Sequence, residues 1–128
     1  MVKTVKVTTD NRLYVLELPQ WDFENQELAV DADCVEKVRT QIMQNIFKDS
    51  VVMLVDESGA VNGKPVNELA SILYGQPQHG QPIFGDIIFG LLRGPHILPP
   101  DNADQLALFL KRYFPFLKYD GEGSGKVG

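Results

Sequence analysis

The sequence contains a single cysteine, Cys34, among its 128 residues. One cysteine excludes an intrachain disulfide and favours a reducing compartment. Long apolar runs are also missing. No stretch of about 18 apolar residues occurs, and the N-terminus lacks the apolar segment of a secretory leader. We therefore expect a soluble, cytoplasmic protein without a membrane span.

Clustered positive charge is missing as well. Residues 13–36 contain seven acidic side chains and no lysine or arginine, and the whole chain has a net charge of −5. A protein that binds duplex nucleic acid needs a basic face, because neutralisation of phosphates supplies most of its non-specific affinity. We therefore expect no duplex nucleic-acid partner. The acidic stretch favours a solvated surface over a nucleic-acid mimic or a docking site for a basic partner, because its charges are dilute.

The remaining composition is ordinary for one globular domain. Apolar residues make up 44% of the chain and charged residues 23%, which are typical values for a folded domain. A chain of this length buries enough surface for one core. We predict a single domain over residues 1–120 and a flexible, Gly-rich tail over residues 121–128.

Apolar patterning predicts an α+β fold. Residues 3–8 and 13–18 alternate in polarity and are predicted to form a hairpin. Residues 51–55 form a continuous apolar run, which is typical of a strand buried on both faces. Residues 86–92 are predicted to form the last strong strand, because Ile87, Ile88, Phe89, Leu91 and Leu92 are apolar. We expect a mostly antiparallel sheet of about four strands at these places, with two or three helices packed on one face.

Helical spacing is clearest between Cys34 and Ile46, where apolar residues recur every three or four positions. The pattern predicts a helix that is capped by Asp31 or Asp33 and that carries Cys34 as a buried, inert thiol. A short helix within residues 21–30 is a further expectation.

A helix is predicted over residues 68–74, with Asn67 as its N-cap and Gly75 at its C-terminal end. Upstream of Asn67, residues 56–59 and the pair at 62–63 are typical of turns. The segment before this helix is therefore predicted to be a loop.

The last predicted helix follows a loop over residues 93–100 and is capped by Asp101. Its apolar residues, around Leu106 and Phe114, cover most of the helix circumference. Such a helix is either sandwiched in the core or forms an oligomer contact. A homodimer through this helix is therefore one of two alternatives.

Residues that carry chemistry form no recognised catalytic or metal pattern. His79 and His96 lack ligand spacing with the single cysteine, and no serine lies in a G-x-S-x-G sequence. The glycines at 75 and 80 have the spacing of a phosphate loop, but Gln81 and Pro82 stand where such a loop needs Lys and Ser or Thr. We predict no catalytic residue, no metal and no cofactor.

The candidate binding residues are Asn67, Tyr74, His79 and Asp86, in or beside the turn-rich segment 56–85. Structural roles are the simpler explanation for Asn67 and His79. The favoured function is a non-enzymatic binding or protein-interaction module that uses these loops, because loops on a rigid scaffold commonly carry binding.

Two other functions remain open. One is a small-molecule or nucleotide-binding protein with a pocket near His79 and Asn67. The other is a hydrolase-like enzyme that uses His79 and a carboxylate.

Three stretches of the chain resemble a known family. They are LVDESG at 54–59, PVN at 65–67 with the LA that follows, and HGQPIFGDIIF at 79–89. In this order they resemble the domain-of-unknown-function family numbered 3846, which is found in bacteria and in their phages and mobile elements. The likeness covers about two thirds of the chain and ends before the last helix. It implies a small stand-alone α+β protein, with a mobile element as one origin, and no activity, cofactor or catalytic residue.

Overall fold

The computed structural model describes residues 1–75 and 80–120, which form four helices and one sheet of seven strands. The predicted α+β class is confirmed. In chain order the elements are β1 (Val2–Val7), β2 (Arg12–Leu18), α1 (Phe23–Val30), β3 (Val35–Val38), α2 (Gln41–Phe47), β4 (Val51–Asp56), α3 (Glu68–Tyr74), β5 (Ile87–Arg93), β6 (His96–Leu98), α4 (Ala103–Tyr113) and β7 (Lys118–Tyr119).

The sheet has the strand order β3-β4-β5-β1-β2-β7, and β6 is added to β5. All pairings among the described strands are antiparallel except that of β2 with β7. The four predicted strands correspond to β1, β2, β4 and β5. Every residue of β4 is buried, as its continuous apolar run predicts. The additional strands β3, β6 and β7 contain only two to four residues each.

The prediction that the helices pack on one face of the sheet is wrong. Helices α2, α3 and α4 share the main core with one face, whereas α1 packs on the opposite face. There Ala29 and Val30 of α1 meet Leu54 of β4 and Ile88 of β5. Because β4 and β5 are apolar on both faces, each face needs a covering layer.

The predicted helix over residues 34–46 is also wrong. Its first part is the strand β3, which pairs with β4, and α2 begins only after Thr40. The Thr40 hydroxyl caps α2 by accepting a hydrogen bond from the Met43 amide at 3.3 Å. Asp31 instead ends α1 in a left-handed conformation, with φ at 55°. Pairing with a buried strand outweighs helical spacing of the side chains, because it satisfies backbone groups of both strands.

The predictions for α1 and α3 are confirmed, and those for the C-terminal part are confirmed in part. Helix α3 runs from Glu68 to Tyr74 between its cap Asn67 and Gly75, which has φ at 95°. The predicted loop over residues 93–100 contains β6. Helix α4 is capped by Asn102, and not by Asp101, because the Asn102 side chain accepts from the amide of the third helical residue at 3.1 Å.

In the part of the chain that the structure describes, no helix has the length and apolar character needed to cross a membrane. The predicted tail over residues 121–128 lies outside the described residues.

The position of the Thr40 cap generates a stability prediction. Replacing Thr40 with Ala removes the cap of α2 and the bond from its hydroxyl to the Leu73 carbonyl, 2.6 Å long. We expect the free energy of unfolding to fall by about 1–2 kcal/mol. The control Asp33→Ala, at an exposed position, should change it by no more than about 0.5 kcal/mol. Urea unfolding measures both values. A larger loss for Asp33→Ala would support the longer helix that the sequence pattern predicts.

Candidate functional site

Asn67 is fully buried and uses its side chain within the fold. Its Nδ2 donates to the Val7 carbonyl at 3.1 Å and to the Gly85 carbonyl at 3.0 Å. Its Oδ1 accepts from the Ala70 amide at 3.0 Å, which caps α3. These bonds join three separate chain segments, so the contacts of Asn67 are structural.

Lys64 forms a buried ion pair with Asp56, the last residue of β4. The Lys64 Nζ lies 2.7 Å from the Asp56 Oδ2, and the Asp56 side chain is only 1% exposed. The same ammonium group donates to the carbonyl of Val30 at 3.1 Å and to the carbonyl of Asp31. One cation therefore links the end of β4 to the end of α1, where the helix dipole favours positive charge.

The environment of Asp56 keeps its carboxyl group ionised. Burial alone would raise the pKa of Asp56. Hydrogen bonds from Lys64 and from the Ser58 amide, the latter 2.9 Å long, outweigh burial and hold the pKa below its ordinary value. The pair is therefore charged at neutral pH.

The loop after β4 packs closely against the segment that precedes β5. A Cβ atom on Gly59 would lie only 2.5 Å from the Phe84 carbonyl oxygen, so this approach requires glycine. Gly85 has φ at 95° and faces the Lys64 stem, where a Cβ would lie 2.9 Å from its Cδ. An isolated antiparallel bridge joins Val66 to Phe84. The loop is thus held in place by Lys64 on one side and by backbone pairing on the other.

A cleft of about 320 Å³ lies beside this loop, and we name it the edge cleft. Its walls come from β3, from the loop after β4, from the end of α3 and from the segment before β5. The lining residues are 36–39, 55–57, 59–60, Tyr74 and 81–84.

β3 is an edge strand, and alternate backbone N–H and C=O groups of this strand point away from β4. The Glu57 amide donates to the Cys34 carbonyl at 3.1 Å, so positions 34 and 57 form a hydrogen-bonded pair. Hydrogen-bonded and non-hydrogen-bonded pairs alternate along an antiparallel ladder. The register pairs Val35 with Asp56 and Lys37 with Leu54. The N–H and C=O groups of Val35 and Lys37 therefore point outward, and among the described residues no strand pairs with them.

Cys34 lies at the start of this edge and is exposed, which corrects the prediction of a buried thiol. The carboxylate of Glu57, through a hydrogen bond and through its charge, raises the pKa of the Cys34 thiol above its ordinary value. The thiol is therefore protonated at neutral pH and a weak nucleophile.

The structure separates the predicted binding residues. Tyr74 lines the edge cleft. Asp86 lines a different cleft of about 230 Å³ with Lys64 and Thr9. Its carboxylate accepts from the Thr9 amide at 3.0 Å and lies 3.5 Å from the Lys6 ammonium. Asn67 lines neither cleft. His79 lies outside the described residues, so the pocket predicted near His79 and Asn67 stays a prediction.

Sequence reasoning missed Lys64 and the edge formed by β3. Lys64 stands between a glycine and a proline in a turn-rich loop, and no local pattern indicates that its ammonium reaches α1. β3 was missed because the apolar residues in and after it also fit the spacing of a helix. The clearest sequence signal for a strand here was the pair of β-branched residues in VEKV, which the polar residues Arg39 and Thr40 follow.

Comparisons of the chain with protein-family models, with curated proteins and with solved structures found no match. Within residues 1–75 and 80–120, no group of three or more His, Cys, Asp or Glu residues is arranged to hold a metal ion.

The buried ion pair generates a second stability prediction. Lys64→Met keeps the apolar stem and removes the charge, so it leaves the Asp56 carboxylate buried without its cation. We expect the free energy of unfolding to fall by about 3 kcal/mol. The control is Lys3→Met at an exposed position, which should change it by no more than about 0.5 kcal/mol. Equal effects of the two substitutions in urea unfolding would show that the Lys64 pair is not a major contact.

Asp56 also generates a pH prediction. Because its pKa is lower in the folded than in the unfolded protein, its stabilising contribution is present above the unfolded pKa and is lost as the pH falls through the folded pKa. The stability difference between the wild type and Asp56→Asn should therefore shrink from about pH 6 to about pH 2. Urea unfolding across this range measures it. A difference that stays constant with pH would contradict the lowered pKa.

Proposed function

We propose that this protein is a non-enzymatic protein-interaction module that binds an extended polypeptide along the outer edge of β3. The observation that carries this proposal is the outward direction of the Val35 and Lys37 backbone groups beside the edge cleft. A strand with unpaired N–H and C=O groups is a template for an added strand. This mode of recognition recurs in domains that bind peptides.

The edge cleft supplies a place for side chains of the added strand. Side chains alternate between the two faces of a sheet, and Val38 of β3 faces the main core. Ligand side chains opposite Glu36 and Val38 would therefore point toward the cleft. There they would meet Tyr74, Ile83 and other lining residues. A pocket for alternate side chains adds specificity to backbone affinity.

The charge of Lys37 on the other face of β3 favours an acidic ligand. Lys37 is exposed and lies on the face of β3 opposite Val38, whereas Arg39 follows the strand and donates to the Gln44 side chain of α2. An acidic ligand side chain opposite Lys37 is favoured, because cross-strand pairs of opposite charge are favourable. The proposed ligand is an extended segment with an acidic residue between apolar residues.

The volume of the edge cleft favours a second candidate, a small-molecule or nucleotide-binding protein. About 320 Å³ lies at the lower end of the range for ligand pockets. In that case Tyr74 would contact the ligand directly. The hydrolase-like alternative depends on His79 and stays a prediction. The resemblance to the family numbered 3846, with its origin in phages or mobile elements, also stays a prediction.

We also propose that the chain forms a homodimer through α4. The helix buries Ala103, Ala107 and Leu110 in the core but leaves Leu108 and Tyr113 about half exposed, at 47% and 53%. Apolar residues on both sides of one helix are typical of a helix that packs in the core and against a partner.

The edge proposal is tested with two substitutions at one position. Lys37→Pro removes an outward N–H group without disturbing the ladder to β4, because proline is tolerated on the free side of an edge strand. Lys37→Ala removes the side chain and keeps the N–H group. A peptide selected from a displayed random library serves as the probe. We expect Lys37→Pro to weaken its binding at least about tenfold, because a backbone bond is lost and the proline ring blocks the edge.

The control Lys37→Ala should bind that peptide within a few-fold of the wild type. Fluorescence anisotropy measures binding, and circular dichroism checks that both variants are folded. Equal binding by the two variants would contradict strand addition. If no peptide is selected, and a metabolite raises the Tm of the wild type but not of Tyr74→Ala, the second candidate is correct.

A further inference from the structure

The outward side of α4 exposes several apolar side chains. Phe109 packs between Phe47 and Tyr113, with ring centroids 5.5 and 5.7 Å apart. Leu108 lies next to Phe109 and is 47% exposed. Several large apolar side chains exposed on one helix indicate an interaction surface when they lie beside an apolar groove.

A groove of about 640 Å³ runs beside this surface. One wall is α4, with Leu106 and Phe109, and the other includes Phe47, Val51 and Leu91. The groove is therefore mainly apolar and long enough to follow α4. Such a groove suits an apolar helix face.

Two charged side chains of α4 lie in line with Leu108: Arg112, which lines the groove, and Asp104, which lines the neighbouring cleft. Asp104 lies in the first turn of α4, and Arg112 lies in the last turn. Among residues 1–75 and 80–120, neither side chain forms an ion pair. The two carboxylates that line the groove both face Arg93, Asp49 at 3.1 and 3.2 Å and Asp101 at 3.9 Å. In an antiparallel pair of α4 helices, the Asp104 end of each helix would therefore lie beside the oppositely charged Arg112 end of the other helix.

We infer that the occupant of this groove is α4 of a second copy, packed antiparallel about a two-fold axis at Leu108. This inference rests on the homodimer proposed above and specifies its register. Asp104 and Arg112 each lie four residues from Leu108, about 6 Å along the helix axis. The axis therefore places Asp104 of each copy level with Arg112 of the other copy. Both grooves are filled at once, as a closed two-fold interface requires.

Charge exchange tests the register. Asp104→Arg places two arginines at the same level, and Arg112→Asp places two aspartates there. We expect each single substitution to weaken dimerisation about tenfold, because two contacts per dimer change from attraction to repulsion. The double variant restores opposite charges and should recover dimerisation to within about threefold of the wild type.

The double variant also distinguishes a contact between two α4 helices from an effect of the charges on the stability of α4 itself. The natural charges suit the helix dipole, so each exchange destabilises the monomer slightly and the double variant destabilises it most. Only a paired interface predicts recovery in the double variant. Analytical ultracentrifugation measures the dimer dissociation constant, and thermal unfolding at concentrations well below that constant measures the stability of the monomer.

A crosslink at the axis gives an independent readout. In a Cys34→Ser background, Leu108→Cys places two thiols near each other across the axis, and glutathione disulfide should join them in a covalent dimer. The control Asp104→Cys should not crosslink, because its two copies lie about 12 Å apart along the axis, beyond the reach of a disulfide.

The outcomes distinguish the two proposals. A wild-type protein that sediments as a monomer overturns the homodimer and, with it, the register. A dimer whose Leu108→Cys variant does not crosslink, or in which the double charge exchange is no better than the single ones, keeps the homodimer and overturns the register. A dimer that Leu108→Asp leaves intact places the interface away from α4.

Discussion

The ammonium group of Lys64 is the contact on which the arrangement of the candidate site depends. It neutralises the buried Asp56 carboxylate at the end of β4 and binds the last carbonyls of α1 on the other face of the sheet. A buried charge is tolerated only when it is paired and hydrogen-bonded, so the loop between Asp56 and Lys64 has one favourable path. That path brings Gly59 against Phe84 and forms a wall of the edge cleft.

Sequence patterns predicted the elements that depend on residues close together in the chain. The buried strand β4 was visible as a continuous apolar run, β5 was visible from its five apolar residues, and Asn67 was visible as a cap because the residues after it have an apolar helical stripe. β3 and Lys64 could not be predicted in the same way. The spacing of Val35 and Val38 fits a helix as well as a strand, and only the partner β4 decides between them. The acceptors of Lys64 lie about thirty residues away in the chain.

The sequence predicted which segment lines the candidate site, and the structure corrected the roles of individual residues in that segment. The turn-rich segment does line the edge cleft, and Tyr74 lies in it. Asn67 and Asp86 attracted notice as polar residues in that segment, but their side chains hold the backbone of β1, the loop after it and the segment before β5. The edge cleft and the groove beside α4 have no described residue in common. Strand addition at β3 and pairing of α4 are therefore compatible in one molecule.

The central claim is that the outer edge of β3 is open for pairing. Amide hydrogen exchange, followed residue by residue by NMR, tests it most directly, because amides that point away from a ladder lack protection. The structure predicts fast exchange at Val35 and Lys37 and slow exchange at Glu36 and Val38, whose amides point toward β4. Slow exchange at Lys37 in the ligand-free protein would show that the edge is already occupied, and would contradict the claim.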